Sequence, residues 1–194
     1  MNNKFERLIF PSRINLNFKL TAEVKKHIIE MNSFFLRSGF NEIDFSEDSD
    51  HIPHITCLMG EVSSNIAFET LIDCLSEFCK SESPLDYTIT SPYWQKPSRR
   101  FVFVDTEPNG YFRDFRRRMY VKLKKILSCE HYGGPENPSH ITVGYAHKRN
   151  MNLASIHKKF HPLSSTASFI RVCKVGTRGT CHDVLYTCSL NENV

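Results

Sequence analysis

The sequence predicts an α+β fold of two similar lobes, each an antiparallel-rich sheet with helices on its outer face, and a cleft between them. Three observations predict it. Strand-like stretches of period two alternate with amphipathic helical stretches. The same order of elements recurs at an offset of about 87 residues. At 194 residues the chain has the length of one domain, which two similar halves can build. The lobes fall at approximately 13–95 and 96–190, with exchange of strands between them allowed.

The elements come in order. Ile14 to Leu20 alternates Ile, Leu, Phe and Leu with Asn and Lys, the pattern of a half-buried strand. Thr21 caps a helix whose Val24, Ile28, Met31 and Phe35 share one face and which Gly39 ends. Residues 41–50 are acidic and irregular. Ile52 to Met59 reads as a second strand. Residues 64–80 read as an amphipathic helix, with Phe68, Leu71, Ile72, Leu75 and Phe78 at helical spacing, and Leu85 to about Tyr93 as a strand behind Pro84. The second half repeats the order. A strand at Phe101–Val104 precedes a long helix from Asn109-Gly110 to about residue 127, with Phe112, Phe115, Met119, Leu123 and Ile126 on one face. A Gly-Gly-Pro loop at 133–135 leads to a strand from His140 to Tyr145. A shorter helix over about 151–160 and strands near 166–175 and 183–190 complete the chain.

Fifteen Phe and seven Tyr supply a core and exclude wholesale disorder. No apolar run approaches the roughly 20 residues of a membrane span, and the opening MNNKFERLIFPSR has no signal-peptide core. The expectation is a cytoplasmic monomer without membrane association. A net charge of +4 suits a phosphate-bearing ligand and excludes the charge density of a histone-like protein. Seven Cys without one Cys-x-x-Cys pair remove the support for zinc-ribbon and thioredoxin-like readings. Cys57, Cys74, Cys173 and Cys188 stand among apolar neighbours and read as reduced core thiols.

Two short segments match. Pro53-His54-Ile55-Thr56-Cys57 and Ser139-His140-Ile141-Thr142-Val143 each read His-Ile-Thr and then an apolar residue, and their histidines are 86 residues apart, in step with the repeat. In a strand, residues i and i+2 lie on one face roughly 6.5–7 Å apart. His54 and Thr56 therefore share a face, as do His140 and Thr142, while Ile55, Cys57, Ile141 and Val143 point into the core. Lobes packed about a pseudo-twofold axis bring both pairs to one cleft. Two imidazoles and two hydroxyls suit phosphodiester cleavage: one imidazole takes a proton, one imidazolium gives a proton, and the hydroxyls donate to non-bridging phosphate oxygens. The histidines carry the proton transfers, so the chemistry calls for no metal and no cofactor.

The paired His-x-Thr motifs in a two-lobed α+β chain of this size resemble the 2H phosphoesterase superfamily, over about residues 13–190. That superfamily includes bacterial 2′-5′ RNA ligase-type proteins and cyclic nucleotide and 2′,5′-phosphodiesterases. The resemblance implies a metal-independent enzyme acting on phosphoesters beside a 2′ or 3′ hydroxyl, with His54 and His140 as the catalytic pair and Thr56 and Thr142 as phosphate binders. The implied partner is RNA or an oligonucleotide, 2′-5′ linked or 2′,3′-cyclic ended. A non-catalytic RNA-binding module of the same fold and an RNA 2′-5′ ligase stand as alternatives.

Other residues offer binding surface. Tyr93, Trp94 and Phe101 flank a basic turn and are candidates for stacking on a base. Tyr145 is a further candidate, though its parity with Val143 turns it toward the core. Arg113, Arg116, Arg117, Arg118, Lys122, Lys124 and Lys125 make one helix basic, either a solvated outer face or a track for longer RNA. His147, Lys148 and Arg149 leave the second motif as a surface turn or as phosphate contacts. His51 with His54 has a zinc-compatible spacing but no third ligand, and His51 reads as a residue of the cleft entrance or of solvent.

Overall fold

The computed structural model describes residues 8–37, 42–46, 49–95, 100–129, 134–145, 153 and 159–191. Among them the chain runs β1 (Ser12–Lys19), α1 (Ala22–Arg37), β2 (His54–Val62), α2 (Asn65–Lys80), β3 (Leu85–Ile89), β4 (Tyr93–Trp94), β5 (Phe101–Glu107), α3 (Asn109–Leu123), β6 (Ser128–Cys129), β7 (His140–Tyr145), β8 (Leu163–Ala167), β9 (Phe169–Val175) and β10 (Cys181–Ser189), with a 3₁₀ turn at Thr177–Gly179. The strands form one antiparallel sheet in the order β10-β9-β1-β2-β7-β5-β3-β8, with β4 added to β5 and β6 to β2.

The two motif strands, β2 and β7, lie side by side in the middle of this order. β9 and β10, from the end of the chain, pair beside β1, and β3 pairs beside β5. Antiparallel pairing needs no crossover helix, so α1, α2 and α3 are free to cover one face. Alternation then sorts the side chains. Ile14, Leu16 and Phe18 of β1 and Val102 and Val104 of β5 are buried under the helices. The ring of Phe18 meets Phe112 and Phe115 of α3 at 5.1 and 5.0 Å, and Phe78 of α2 meets Phe115 at 5.2 Å. Such aromatic contacts add about 0.5–1.5 kcal/mol each beyond the area they bury. Ser64 opens α2 where the sequence puts it: its Oγ accepts from the Ala67 amide at 3.2 Å.

Both motif strands bulge directly after their threonine. Across β1 and β2 the register steps from Asn17–Thr56 to Leu16–Leu58, leaving Cys57 over; across β5 and β7 it steps from Phe103–Thr142 to Val102–Gly144, leaving Val143 over. A bulge inserts one residue and so reverses the parity of the residues after it. Cys57 and Leu58 are both buried, as are Val143 and Gly144, and Met59 and Tyr145 return to the histidine side. The spare Val143 carbonyl accepts from the buried Asn32 of α1 at 2.8 Å, which also binds the Ile43 carbonyl at 2.7 Å. Thus α1 holds the bulge.

Several boundaries differ from the sequence reading. The strand expected to Tyr93 ends at Ile89, and Pro92, which offers no amide hydrogen, separates it from β4. The strand expected over 166–175 is two strands broken at Ser168, and the helix expected to residue 127 ends at Leu123. Of the helix expected over 151–160, only Leu153, Lys159 and Phe160 are described, and Leu153 and Phe160 are buried. Gly39, Gly133, His147, Lys148 and Arg149 lie outside the described residues. No described helix is long and apolar enough to cross a membrane.

Candidate active site

β2 and β7 pair antiparallel at Ile55–Ile141. One residue either side, that register sets His54 opposite Thr142 and Thr56 opposite His140, all on the face away from the helices. Directly opposite residues of an antiparallel pair have Cβ atoms about 4.5–5.5 Å apart. Each side chain is half-buried. The four polar groups named from the sequence thus stand on one sheet face.

The backbone orients both imidazoles in the same way. Nδ1 of His54 donates to the Ile52 carbonyl at 2.8 Å, and Nδ1 of His140 donates to the Pro138 carbonyl at 3.0 Å. A carbonyl only accepts, so each Nδ1 carries hydrogen and each neutral ring keeps its lone pair on Nε2. The segment before His140 is pinned by Ser139, whose amide donates to Asn109 Oδ1 at 2.9 Å and whose carbonyl accepts from Thr106. Burial lowers the affinity of both rings for a second proton. His54 is pulled down to about 4, against the Ile52 hydrogen bond and with the positive charge of Arg171 adding to burial. His140 is lowered by burial, with Asp105 acting in the opposite direction.

The strands that flank the motifs differ. On β1, Asn15, Asn17 and Lys19 share the histidine face, and Asn17 pairs with Thr56 and Lys19 with His54. Asn15 Nδ2 lies 3.2 Å from His54 Nε2 and donates to Thr56 Oγ1 at 3.3 Å. Asn17 Nδ2 points at the sulfurs of Cys173 and Cys181, at 3.4 and 3.2 Å. Cys173 is therefore buried on the histidine side of the sheet, not in the core beneath the helices as its apolar neighbours imply. Arg171 of β9 pairs with Asn17 on the same face. On β5 the equivalent places, again 86 residues later, hold Phe101, Phe103 and Asp105. Phe103 stacks on the His140 ring at 3.9 Å, Phe101 on Phe103 at 5.6 Å, and Tyr145 meets Phe101 edge-on at 4.7 Å.

Tyr145 is thus on the histidine side, not the helix side to which unbroken alternation assigns it, because the bulge at Val143 turns it over. Tyr93 lies opposite Phe103 and donates from its hydroxyl to Asp105 at 2.6 Å. Trp94 lies opposite the buried Val102 and packs against the core, so the structure does not bring it to the other candidates. A small cavity between the strands is lined by Phe45, His54, Thr142, Arg178, Gly179 and Thr180. Arg178 sits there at φ 60°, in the left-handed region costly for a side-chain-bearing residue. Its guanidinium covers the Tyr145 ring at 4.4 Å and reaches Glu42 at 3.4 Å. The sequence reading misses Asn15, Asn17, Phe103, Asp105, Arg171 and Arg178. The repeat offset, applied to the flanking strands, points to the first four; nothing in the sequence marks the two arginines.

The basic helix divides. Arg117 forks onto Glu136 and Arg118 onto Glu82 at the surface, whereas Arg116 is buried and binds the carbonyls of Phe112 and Asn137. Arg116 is therefore part of neither a solvated face nor an RNA track: it holds the loop ahead of His140. His51 meets the His182 ring edge-on at 4.7 Å. Among the described residues no three His, Cys, Asp or Glu gather as a metal cage. A wider depression of about 600 Å³ over β3, β8 and the start of α3 has no histidine, cysteine or cation on its rim.

Residues 36–176 match the family model of the 2′-5′ RNA ligase superfamily. The chain belongs to that superfamily, the 2H phosphoesterases. Solved structures of the same fold agree in architecture. TT0787 of Thermus thermophilus superposes with a TM-score of 0.69 over 94% of this chain and 100% of its own, at 15% identity. A protein described as a phosphoesterase gives 0.67 over 93% and 99%, at 16% identity. LigT of E. coli in apo form gives 0.66 over 93% and 98%, at 15% identity. At such identities the likeness speaks for the fold alone. No curated protein matches the sequence.

Proposed function

We propose that this member of the 2H phosphoesterases is a metal-independent phosphodiesterase that hydrolyses 2′,5′-phosphodiester or 2′,3′-cyclic phosphate bonds in RNA or oligonucleotides. His54 and His140 are its acid–base pair, and Thr56 and Thr142 its phosphate binders. One observation carries the reading: each histidine stands opposite the other strand's threonine on one sheet face, with Nδ1 already committed to a backbone carbonyl. The lobes of approximately 13–95 and 96–190 supply one pair each.

With phosphorus between the strands, water attacks on one side and a ribose oxygen leaves on the other. A neutral Nε2 removes the water proton as the new P–O bond forms. A protonated Nε2 delivers a proton as the bond to the ribose oxygen breaks. Each role is worth about 10²–10⁴ in rate. The threonine hydroxyls donate to the non-bridging oxygens, where charge accumulates in the transition state. Phe101, Phe103 and Tyr145 offer a stacking wall for the base attached to that phosphate, Tyr93 holds Asp105, and Arg178 is placed for phosphate or sugar. LigT structures of the same fold are complexes with phosphate, ATP, NADP+ and 3′-AMP, ligands of this class. Ligation to a 2′-5′ bond is the same chemistry reversed, and the family's description favours it as the second reading.

The test offers purified protein, in EDTA, a panel of 2′,3′-cyclic nucleotides and 2′-5′ oligoadenylates, beside His54→Ala and His140→Ala. Turnover by the wild type and heavy losses in both variants are expected. Full activity in either variant would overturn the paired mechanism. Salt-dependent RNA binding without turnover would make the protein a binding module instead.

A further inference from the structure

We propose that Asn15 is a positioning residue that holds His54 neutral in the resting site, through a side-chain amide whose orientation follows the proton on His54 Nε2. This rests on the acid–base reading of the site given above.

Asn15 is fully buried on β1, beside the motif strand. Its single Nδ2 serves two acceptors, His54 Nε2 at 3.2 Å and Thr56 Oγ1 at 3.3 Å, and its Oδ1 is buried without a hydrogen-bond partner among the described residues. Nδ1 of His54 is occupied by the Ile52 carbonyl. Donation from Asn15 therefore requires an Nε2 lone pair, which only the neutral ring has. A second proton would set N–H against N–H. The clash is removed if the amide turns by half a revolution: Oδ1 then accepts from Nε2–H. The partnerless Oδ1 of the resting site is the atom the proton-loaded site needs. Since amide nitrogen and oxygen exchange places at little steric cost, the two orientations form a two-state element coupled to one proton.

His140 has no such partner among the described residues. The position equivalent to Asn15 is Phe101, and the ring lies instead against Phe103, with Asp105 opposite on β5. The charges around the two rings differ. Facing His54 are Arg171 from β9 and His140 from β7, both of which oppose a positive charge on the ring; the Lys19 ammonium lies over the Phe169 ring and the Arg178 guanidinium is paired with Glu42. Facing His140, Asp105 favours one and Arg116 opposes it. Geometry and charge together keep His54 neutral and give His140 the better hold on a proton.

The readout is independent of turnover, so it separates this proposal from the enzyme reading. In protein labelled with nitrogen-15, imidazole and side-chain amide resonances are followed through a pH titration of the wild type and of Asn15→Asp, with a melting curve to confirm that the variant folds. In the wild type the Asn15 amide signals are expected to move with the midpoint of His54 and not with that of His140. In Asn15→Asp a carboxylate beside Nε2 raises the His54 midpoint by roughly 1–3 pH units and leaves that of His140 in place. An Asn15 amide indifferent to the His54 midpoint would overturn the proposal, whether or not the variant folds. A folded Asn15→Asp with an unmoved His54 would do the same. If the wild type turns over, the acidic limb of its kcat/KM profile shifts upward in Asn15→Asp along with the His54 midpoint.

Discussion

The His54 and His140 halves of the site share a backbone and differ in what surrounds it. Each half is a strand with a His-Ile-Thr, an Nδ1 tied to the carbonyl two residues back, and a bulge directly after the threonine. Their neighbours, however, come from β1 in one case and β5 in the other. β1 gives Asn15 and Asn17, and β9 beyond it gives Arg171: a polar, cationic flank. β5 gives Phe101, Phe103 and Asp105: an aromatic flank with one acid. The repeated backbone places four groups around one point, and the flanking strands assign them different work. On the proposed reading, one flank controls a proton and the other offers a surface to a base.

The largest expected effect tests whether both halves are needed. His54→Ala and His140→Ala each remove one proton transfer and should each cost about 10²–10⁴ in kcat, with the double variant no worse than the more damaged single one once the paired mechanism is lost. Additive losses on a phosphoester substrate would mean that the halves act separately. Next come the threonines. Replacing one donor to a charged transition state typically costs about 10²–10³. Thr56 Oγ1 already accepts from Asn15 at 3.3 Å, which leaves its own hydrogen free to donate to phosphate. Thr56→Val is therefore expected to lose more kcat than Thr142→Val, and equal losses would remove this difference between the halves.

A smaller effect appears in stability. His54 has its proton affinity lowered by burial to about 4, against an ordinary imidazole near 6.5. Between those values the unfolded chain binds more protons than the folded one, so stability falls as pH falls through that window and recovers as pH rises. The whole window is worth roughly 3 kcal/mol. Denaturant melts at about pH 7 and about pH 4.5 should show most of the loss in the wild type and a flatter dependence in His54→Gln. His140, lowered in the same direction, adds a loss of the same sign. An unchanged slope in His54→Gln would mean that the ring is not held neutral by the fold.

How much of this is legible in the sequence depends on where each signal resides. The motif pairs are legible because period two fixes which residues share a face, and because two copies at one offset fix where the faces meet. The Asn15 and Asn17 alternation reads as the solvent side of a half-buried strand, yet both residues are fully buried, on the histidine side, under β9 and β10 contacts. Polar residues of period two announce a face; they do not say what covers it. Tyr145 is misplaced by the sequence pattern because a one-residue bulge leaves no mark in composition yet reverses every side chain after it. Arg116 merges with its neighbours because a run of arginines on a helix conceals the one position that turns inward. Arg171 and Arg178 are invisible because pairing of β9 with β1, far away in sequence, and of β10 with β9 brings them to His54.

The smallest predicted effect probes the aromatic flank. Phe103 stacks on His140 and lies in line with Phe101, so a base bound on this side extends an existing stack. Loss of stacking from one base costs about 1–3 kcal/mol when the ring is removed altogether. Phe103→Leu keeps an apolar side chain beneath the base and should fall at or below the lower end, a rise in KM of about tenfold or less, with kcat nearly retained. The substrate decides the reading. A substrate carrying its base on the His140 side should feel the full rise, whereas an abasic ribose cyclic phosphate should feel none, since it offers no ring to stack. A larger drop in kcat than rise in KM, seen equally with the abasic substrate, would mean that Phe103 acts by orienting the His140 imidazole. The two flanks would then differ only in how they hold a histidine, not in what they bind.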